Sequence, residues 1–363
     1  MDKLNFRRTQ LSEALNFIKL SCRKDGGSSA YYSKLFNPVK GWSNAYPETT
    51  GYIIPTLYDS KNYDKKFKEY EKLASDLTKW LISIQNSDGS FPGSLYNKKN
   101  KTSQSVFNTA QIIIGLCRSF EEKGEQHIFD SLTKSSLWLV QEQNPDGSWD
   151  LGNYIPGFNP SYYTRVAWPM IMAGKILKNN DIVISAKKTL DLISDRICKN
   201  SFVNDCGFKK GKPAFLHTIA YTIRGFLESS FILNNKKYFD IAYNFAEKLM
   251  VSYEVNGKIN GELNNKFKSN NNYRCLTGEA QMAIIWLKIF DKKNDVRFLN
   301  ASLKIIDSLC ESQINRSIFF TKGGICGSKP YYKDYMRFRQ PNWATKFFID
   351  AIILEKIMLN KIK

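Results

Sequence analysis

The sequence predicts an all-α (α/α)6 toroid, a closed double ring of six outer and six inner helices, and three observations carry that prediction. An apolar segment headed by a polar or aromatic cluster recurs six times along the chain. Helices with a one-sided apolar stripe lie between the recurrences, and near-identical Asp-Gly turns follow two of them. One domain over residues 1–363, in repeats of about 55–60 residues, accommodates the whole pattern.

In chain order, the opening helix carries Leu11, Ala14, Leu15, Ile18 and Cys22 on one face. The first apolar segment, ETTGYIIPTLYD, starts at Glu48, and a stripe of Leu73, Leu77, Trp80, Leu81 and Ile84 follows. FNTAQIIIGLCRSFE then starts at Phe107, YTRVAWPMIMAGKIL at Tyr163 and HTIAYTIRGFLESS at His217. A second stripe (Tyr238, Ile241, Ala242, Phe245, Leu249) leads to CLTGEAQMAIIWLKIF from Cys275. A third (Leu299, Leu303, Ile306, Cys310) leads to NWATKFFIDAIILEKI from Asn342. The starts are separated by 59, 56, 54, 58 and 67 residues. A helix apolar on one side covers a core from outside, whereas one apolar nearly all round must be enclosed. No sustained alternation of period two suggests strands.

The turns are Gln85-Asn-Ser-Asp-Gly-Ser-Phe91 and Gln143-Asn-Pro-Asp-Gly-Ser-Trp149, with degenerate forms at Cys206-Gly207-Phe208, Asn256-Gly257-Lys258 and Gly323-Gly324-Ile325. Asp-Gly supplies a residue of positive φ and the aromatic docks back on the helix pair, so these motifs are scaffold rather than chemistry.

Lys+Arg number 53 against 34 Asp+Glu, a net charge of +19 that suits a polyanionic partner. The lysines are dispersed and never form a run of five or six, which argues against a nucleic-acid arm and equally fits a compositional bias of the genome. The seven cysteines lie far apart without a CxxC pair, the expectation for a reduced, cytoplasmic protein without a zinc site or disulfide framework. The first twenty residues lack the apolar core of a signal peptide, and no apolar stretch approaches the roughly 20 residues that span a bilayer. No metal or other cofactor is expected.

The QxxDGSF and QxxDGSW turns on a six-fold helical repeat resemble the (α/α)6 toroid superfamily, which includes terpene cyclases, protein prenyltransferases, glycoside hydrolases, polysaccharide lyases and uronyl epimerases. The segments GWSNAYPETTGYIIPTL, SVFNTAQIIIGL, YYTRVAW, HTIAYTIRG, CLTGEAQMAIIWL, KGGICGS and PNWATKFFIDA resemble the VpsJ-type bacterial polysaccharide-biosynthesis proteins along the full length. That resemblance implies the toroid fold and a place in capsule or exopolysaccharide assembly. The acidic DxDD or DDxxD clusters of terpene cyclases do not occur, and scattered Cys and His residues offer no prenyltransferase zinc site.

In a toroid the entries to the inner helices converge on one mouth, so the clusters that open the six segments form the expected site. The catalytic candidates are His217, Arg165, Tyr163, Tyr221 and Glu48; the substrate-binding candidates are Asn108, Trp42, Tyr46, Tyr162, Arg224, Arg274, Glu279, Tyr335, Asn342 and Trp343. The leading reading is proton abstraction at C5 of a uronate, as a C5-epimerase or lyase acting on an acidic glycan or lipid-linked saccharide. Arg165 and Asn108 would neutralise the carboxylate, with His217 and a tyrosine as base and acid. The alternative is an inverting glycoside hydrolase using Glu48 with a second carboxylate from Glu279, Glu262 or Asp334. A third is a non-catalytic glycan-binding protein with an aromatic funnel. Each candidate also has a structural role open to it: His217 as cap or core, Glu48 beside the helix dipole, Arg165 and Arg224 pairing with buried Glu, and Trp42, Trp343 and Tyr163 as packing. Cys275 and Cys326 lie near the mouth but lack a placeable base, and His127 stands in an exposed polar stretch.

Overall fold

In the inner ring each helix packs on the next until the sixth returns to the first. The computed structural model describes residues 3–64, 67–98 and 103–362. Among them the inner helices are α2 (Pro47–Asp59), α4 (Val106–Lys123), α6 (Thr164–Ile176), α8 (Leu216–Leu233), α10 (Leu276–Lys293) and α12 (Asn342–Lys361), with α12 against α2. The outer helices are α1 (Lys3–Ser21), α3 (Phe67–Ser83), α5 (Gln126–Gln141), α7 (Asn180–Ser194), α9 (Lys236–Asn256) and α11 (Val296–Cys310). This is the (α/α)6 toroid that the periodicity predicts. The apolar segments are indeed the enclosed ones: in α4, Val106 to Cys117 are all buried. Inner helices also meet closely, since a Cβ at Gly115 would fall 2.3 Å from the Gly51 carbonyl oxygen on α2.

The ring closes through its chain ends, because outer helix α1 packs on inner helix α12. Arg7 on α1 donates to Glu355 on α12 (3.0 Å) and to Asp307 on α11 (2.7 Å), joining three helices with a largely buried cation.

The Asp-Gly turns are stitches between neighbouring outer helices. Gln85 Nε2 donates to the carbonyls of Gly89 (2.9 Å) and Ser131 on α5 (3.0 Å), and the Ser131 hydroxyl returns a bond to Gln85 Oε1. Gln143 repeats this with Gly147 and with Ser185 on α7. Gly89 has φ +98°, and its Cβ would meet the Lys134 carbonyl oxygen at 2.5 Å, so the turn needs glycine for conformation and for space. Phe91 and Trp149 are fully buried, as expected of docking aromatics. The degenerate turn at Gly323 keeps the stitch: Gln313 Nε2 donates to Gly323 O (2.8 Å) and to Gln10 O on α1 (3.0 Å).

Three antiparallel two-residue strand pairs fix the entries to inner helices. They join β1 (Tyr31–Tyr32) to β6 (Gln340–Pro341) before α12, β2 (Ala214–Phe215) to β3 (Glu262–Leu263) before α8, and β4 (Arg274–Cys275) to β5 (Ser328–Lys329) before α10. Among the described residues no helix is long and apolar enough to cross a membrane.

Candidate active site

A central cavity of about 440 Å³ opens where the inner helices begin, within the range of small-ligand sites. Of the sequence candidates, Tyr46, Glu48, Asn108, Tyr162, His217, Tyr221, Tyr335 and Trp343 line it. They come from the first two turns of α2, α4, α8 and α12 and from the segments that precede α2, α6 and α12, which accounts for their legibility in the sequence. Helical spacing sets Glu48 and Tyr52 on one face of α2, and His217 and Tyr221 on one face of α8.

Glu48 is buried in the first turn of α2, directly after Pro47. Burial pushes its carboxyl up to about 7, against the opposing pull of the Tyr46 hydroxyl and the Arg165 guanidinium. His217 is also buried, and burial followed by the charge of Arg165 pushes it down to about 3. Its Nδ1 lies 2.8 Å from Gln281 Nε2. That amide nitrogen also faces the carbonyls of His217 (3.4 Å) and Thr277 (3.3 Å), which orients it as the donor. Nδ1 therefore accepts, the imidazole is neutral, and Nε2–H is the group that His217 offers a ligand.

The remaining lining supplies surfaces and donors. The Tyr221 ring lies 4.2 Å from that of His217, and its buried hydroxyl faces that of Tyr52. Asn108 spends its amide nitrogen on Pro92 O (3.1 Å), leaving its carbonyl oxygen to accept. Trp343 Nε1 donates to the Tyr335 hydroxyl (2.9 Å), locking two walls together. Sequence reasoning missed Tyr154, Phe208, Phe215, Arg337 and Arg339, which also line the cavity. The basic and aromatic run from Tyr331 to Arg339, directly before α12, was the signal for the two arginines.

Seven candidates lie elsewhere. Arg165 is behind the wall: its Nε donates to Gln111 Oε1 (2.9 Å), and its guanidinium sits against Tyr221. Tyr163 packs behind Phe107 and donates to Asn153 (2.7 Å). Trp42 packs between a tilted Phe17 ring and an edge-on Tyr32 ring. Asn342 is fully buried and donates to Ser28, Ser29 and Thr49, tying α12 to the loop before α2. Arg274 and Glu279 consume each other in a bidentate pair of 2.8 and 2.5 Å. Arg224 lies toward the opposite end of the ring, paired with Glu228 at 3.2 Å. Of the three proposed second carboxylates, only Asp334 lines the cavity with Glu48, from an exposed position. Basic residues do not concentrate at this mouth: two arginines line it, whereas five basic side chains line a smaller cavity at the other end.

No family model matches the chain, and no curated protein does. Among solved structures it superposes on the cellobiose 2-epimerase of Spirochaeta thermophila DSM 6192 with a TM-score of 0.78 and 12% identity, over 99% of this chain and 98% of that one. An unsaturated glucuronyl hydrolase specific for heparin aligns with a TM-score of 0.74 and 15% identity, over 98% of each chain. A D-mannose isomerase gives 0.73 and 9% identity, over 97% of this chain and 98% of that one. What the chain shares with these three proteins, at such identities, is the (α/α)6 toroid fold.

Proposed function

We propose that this protein is a carbohydrate-modifying enzyme of bacterial surface-polysaccharide assembly. In this reading it abstracts the C5 proton of a uronate residue, as a C5-epimerase or lyase. One observation carries the reading: Glu48 is buried in the wall of an aromatic cavity with its carboxyl pushed up to about 7, and the same wall holds an imidazole that stays neutral. General acid–base catalysis is most effective when the pKa of the group lies near the working pH. Glu48 takes the C5 proton, the C–H electron pair passes into the uronate carboxylate, and the His217 Nε2–H donates to an oxygen on which charge develops. An epimerase returns a proton to the opposite face from a tyrosine such as Tyr221, whose hydroxyl burial keeps protonated. A lyase instead expels the C4 oxygen.

These roles differ from the expected ones. The geometry of His217 favours a donor over a base, and Arg337 and Arg339 replace Arg165 as the groups available to a substrate carboxylate. The aromatic walls suit the apolar faces of sugar rings. The structural neighbours named as a cellobiose 2-epimerase and a glucuronyl hydrolase support a sugar as substrate class, and the second of them is in keeping with a uronate. The motif resemblance to VpsJ-type proteins supports the pathway. Glycoside hydrolysis is the second reading, favoured by the presence of Asp334 in the same cavity.

Incubation with acidic and neutral glycans in D₂O separates these readings. Solvent deuterium at C5 marks an epimerase and a new ultraviolet-absorbing double bond a lyase, whereas new reducing ends alone mark a hydrolase. Deuterium at C2 of a neutral reducing sugar would instead align the protein with 2-epimerases. Silence in all four channels, with binding retained, would leave a glycan-binding protein and end the catalytic reading.

A further inference from the structure

A second cavity, of about 200 Å³, lies between the inner helices, with Arg165 from the first turn of α6, Trp168 and Arg224 in its wall. Five basic side chains and four carboxylates line it, an excess of one positive charge. The carboxylates are largely committed: Asp59 to Arg118 (2.7 Å), Glu228 to Arg224 (3.2 Å) and Lys288 (3.1 Å), and Asp350 to Lys346 (2.5 Å). Arg165 has no carboxylate partner among the described residues, its Nε being held by the neutral Gln111.

Both arginines keep an unused donor. Arg165 Nη1 and Arg224 Nη1 are each buried without a hydrogen-bond partner, in side chains whose residues are 1% and 8% exposed. Their guanidinium carbons lie 5.2 and 5.4 Å from the centre of the same Trp168 ring. Arg165 stands in the first turn of α6 and Arg224 at the middle of α8, so neither offsets the negative end of a helix dipole. Two buried N–H groups without acceptors are an arrangement that folded proteins avoid.

We propose that this cavity binds a small monoanion, a halide or a carboxylate, which accepts from Arg165 Nη1 and Arg224 Nη1 against the Trp168 ring. One negative charge balances the excess in the wall, and one acceptor satisfies both donors. Asp59 and Arg118 at the rim are partly exposed, so an ion enters from solvent. The site is distinct from the cavity that holds Glu48, and its existence does not depend on the reaction proposed above.

Melting curves at fixed pH and ionic strength, with chloride, formate or the bulky 2-(N-morpholino)ethanesulfonate as anion, test this on the full chain. Chloride or formate should raise Tm by roughly a few degrees at about a hundredfold above Kd, with a logarithmic dependence on concentration. A response to chloride alone identifies a halide site and one to formate alone a carboxylate site. A crystal grown in bromide should carry an anomalous peak between the two guanidiniums. Arg224→Lys keeps the charge and removes Nη1, so it should lose the anion-dependent shift; should it fail to fold, the bromide peak decides alone. Coincident melting curves in all three salts, or bromide only at other positions, would overturn the proposal.

Discussion

The guanidinium carbon of Arg165 lies 4.3 Å from the centre of the Tyr221 ring, so a buried cation sits directly behind a tyrosine that lines the central cavity. From there its charge favours the Glu48 anion, and it acts on His217 as well. In the proposed reaction Arg165, which does not line the cavity, therefore acts as a positioning residue rather than through contact with substrate.

Glu48→Gln should abolish turnover while raising stability at alkaline pH. The folded carboxyl titrates at about 7 against an ordinary value of 4.5, so folding penalises its anion. The Glu48 contribution to stability is fully present below pH 4.5 and is lost as pH rises through 7, amounting to about 3 kcal/mol. Melting of wild type and variant at pH 4.5 and pH 8 checks this. An equal difference at both pH values would refute the raised carboxyl.

If Glu48 acts as base, kcat should rise with pH through about 7. Arg165→Met removes the charge that favours the Glu48 anion, so the rise should move to higher pH while KM changes little. A profile that stays in place, with KM increased instead, would return Arg165 to a binding role.

His217 should not titrate between pH 5 and 8, because burial and Arg165 hold it down at about 3. Nitrogen-detected NMR should show the Nε2–H tautomer throughout that range. Gln281→Leu removes the donor to Nδ1 and should mix the tautomers, lowering kcat more than it raises KM. An imidazole that protonates near 6.5 would contradict this assignment.

Gln313→Leu should destabilise the ring by about 2 kcal/mol, since it strips a donor from the Gly323 and Gln10 carbonyls at the closure between α11 and α1. Denaturant unfolding measures this directly. A neutral result would mean that the contacts between α1 and α12 close the ring unaided.

The recurrence of apolar segments and the contrast between one-sided and all-round helices were legible because each reports burial, which residue type encodes directly. The cavity residues at inner-helix starts, Glu48, Asn108, His217 and Trp343, were legible for a related reason: a toroid brings these starts together whatever their details. Which way each side chain points was a different matter. Successive residues in a helix turn by about 100°, so the rotation of α6, set by packing against α4 and α8, sends Arg165 behind Tyr221 rather than into the cavity. The Arg274–Glu279 pair is local, formed where β4 runs into α10, but which way its side chains turn is set by the fold; the basic loop at Arg337 and Arg339 reaches the cavity through strand pairing before α12. The sequence by itself determined the ring and which helix ends surround its axis, through the periodic burial of apolar side chains. Only the tertiary structure decided that Glu48 is raised, that His217 donates and that Arg165 acts from behind, because desolvation and charge coupling depend on distances that no spacing along the chain specifies.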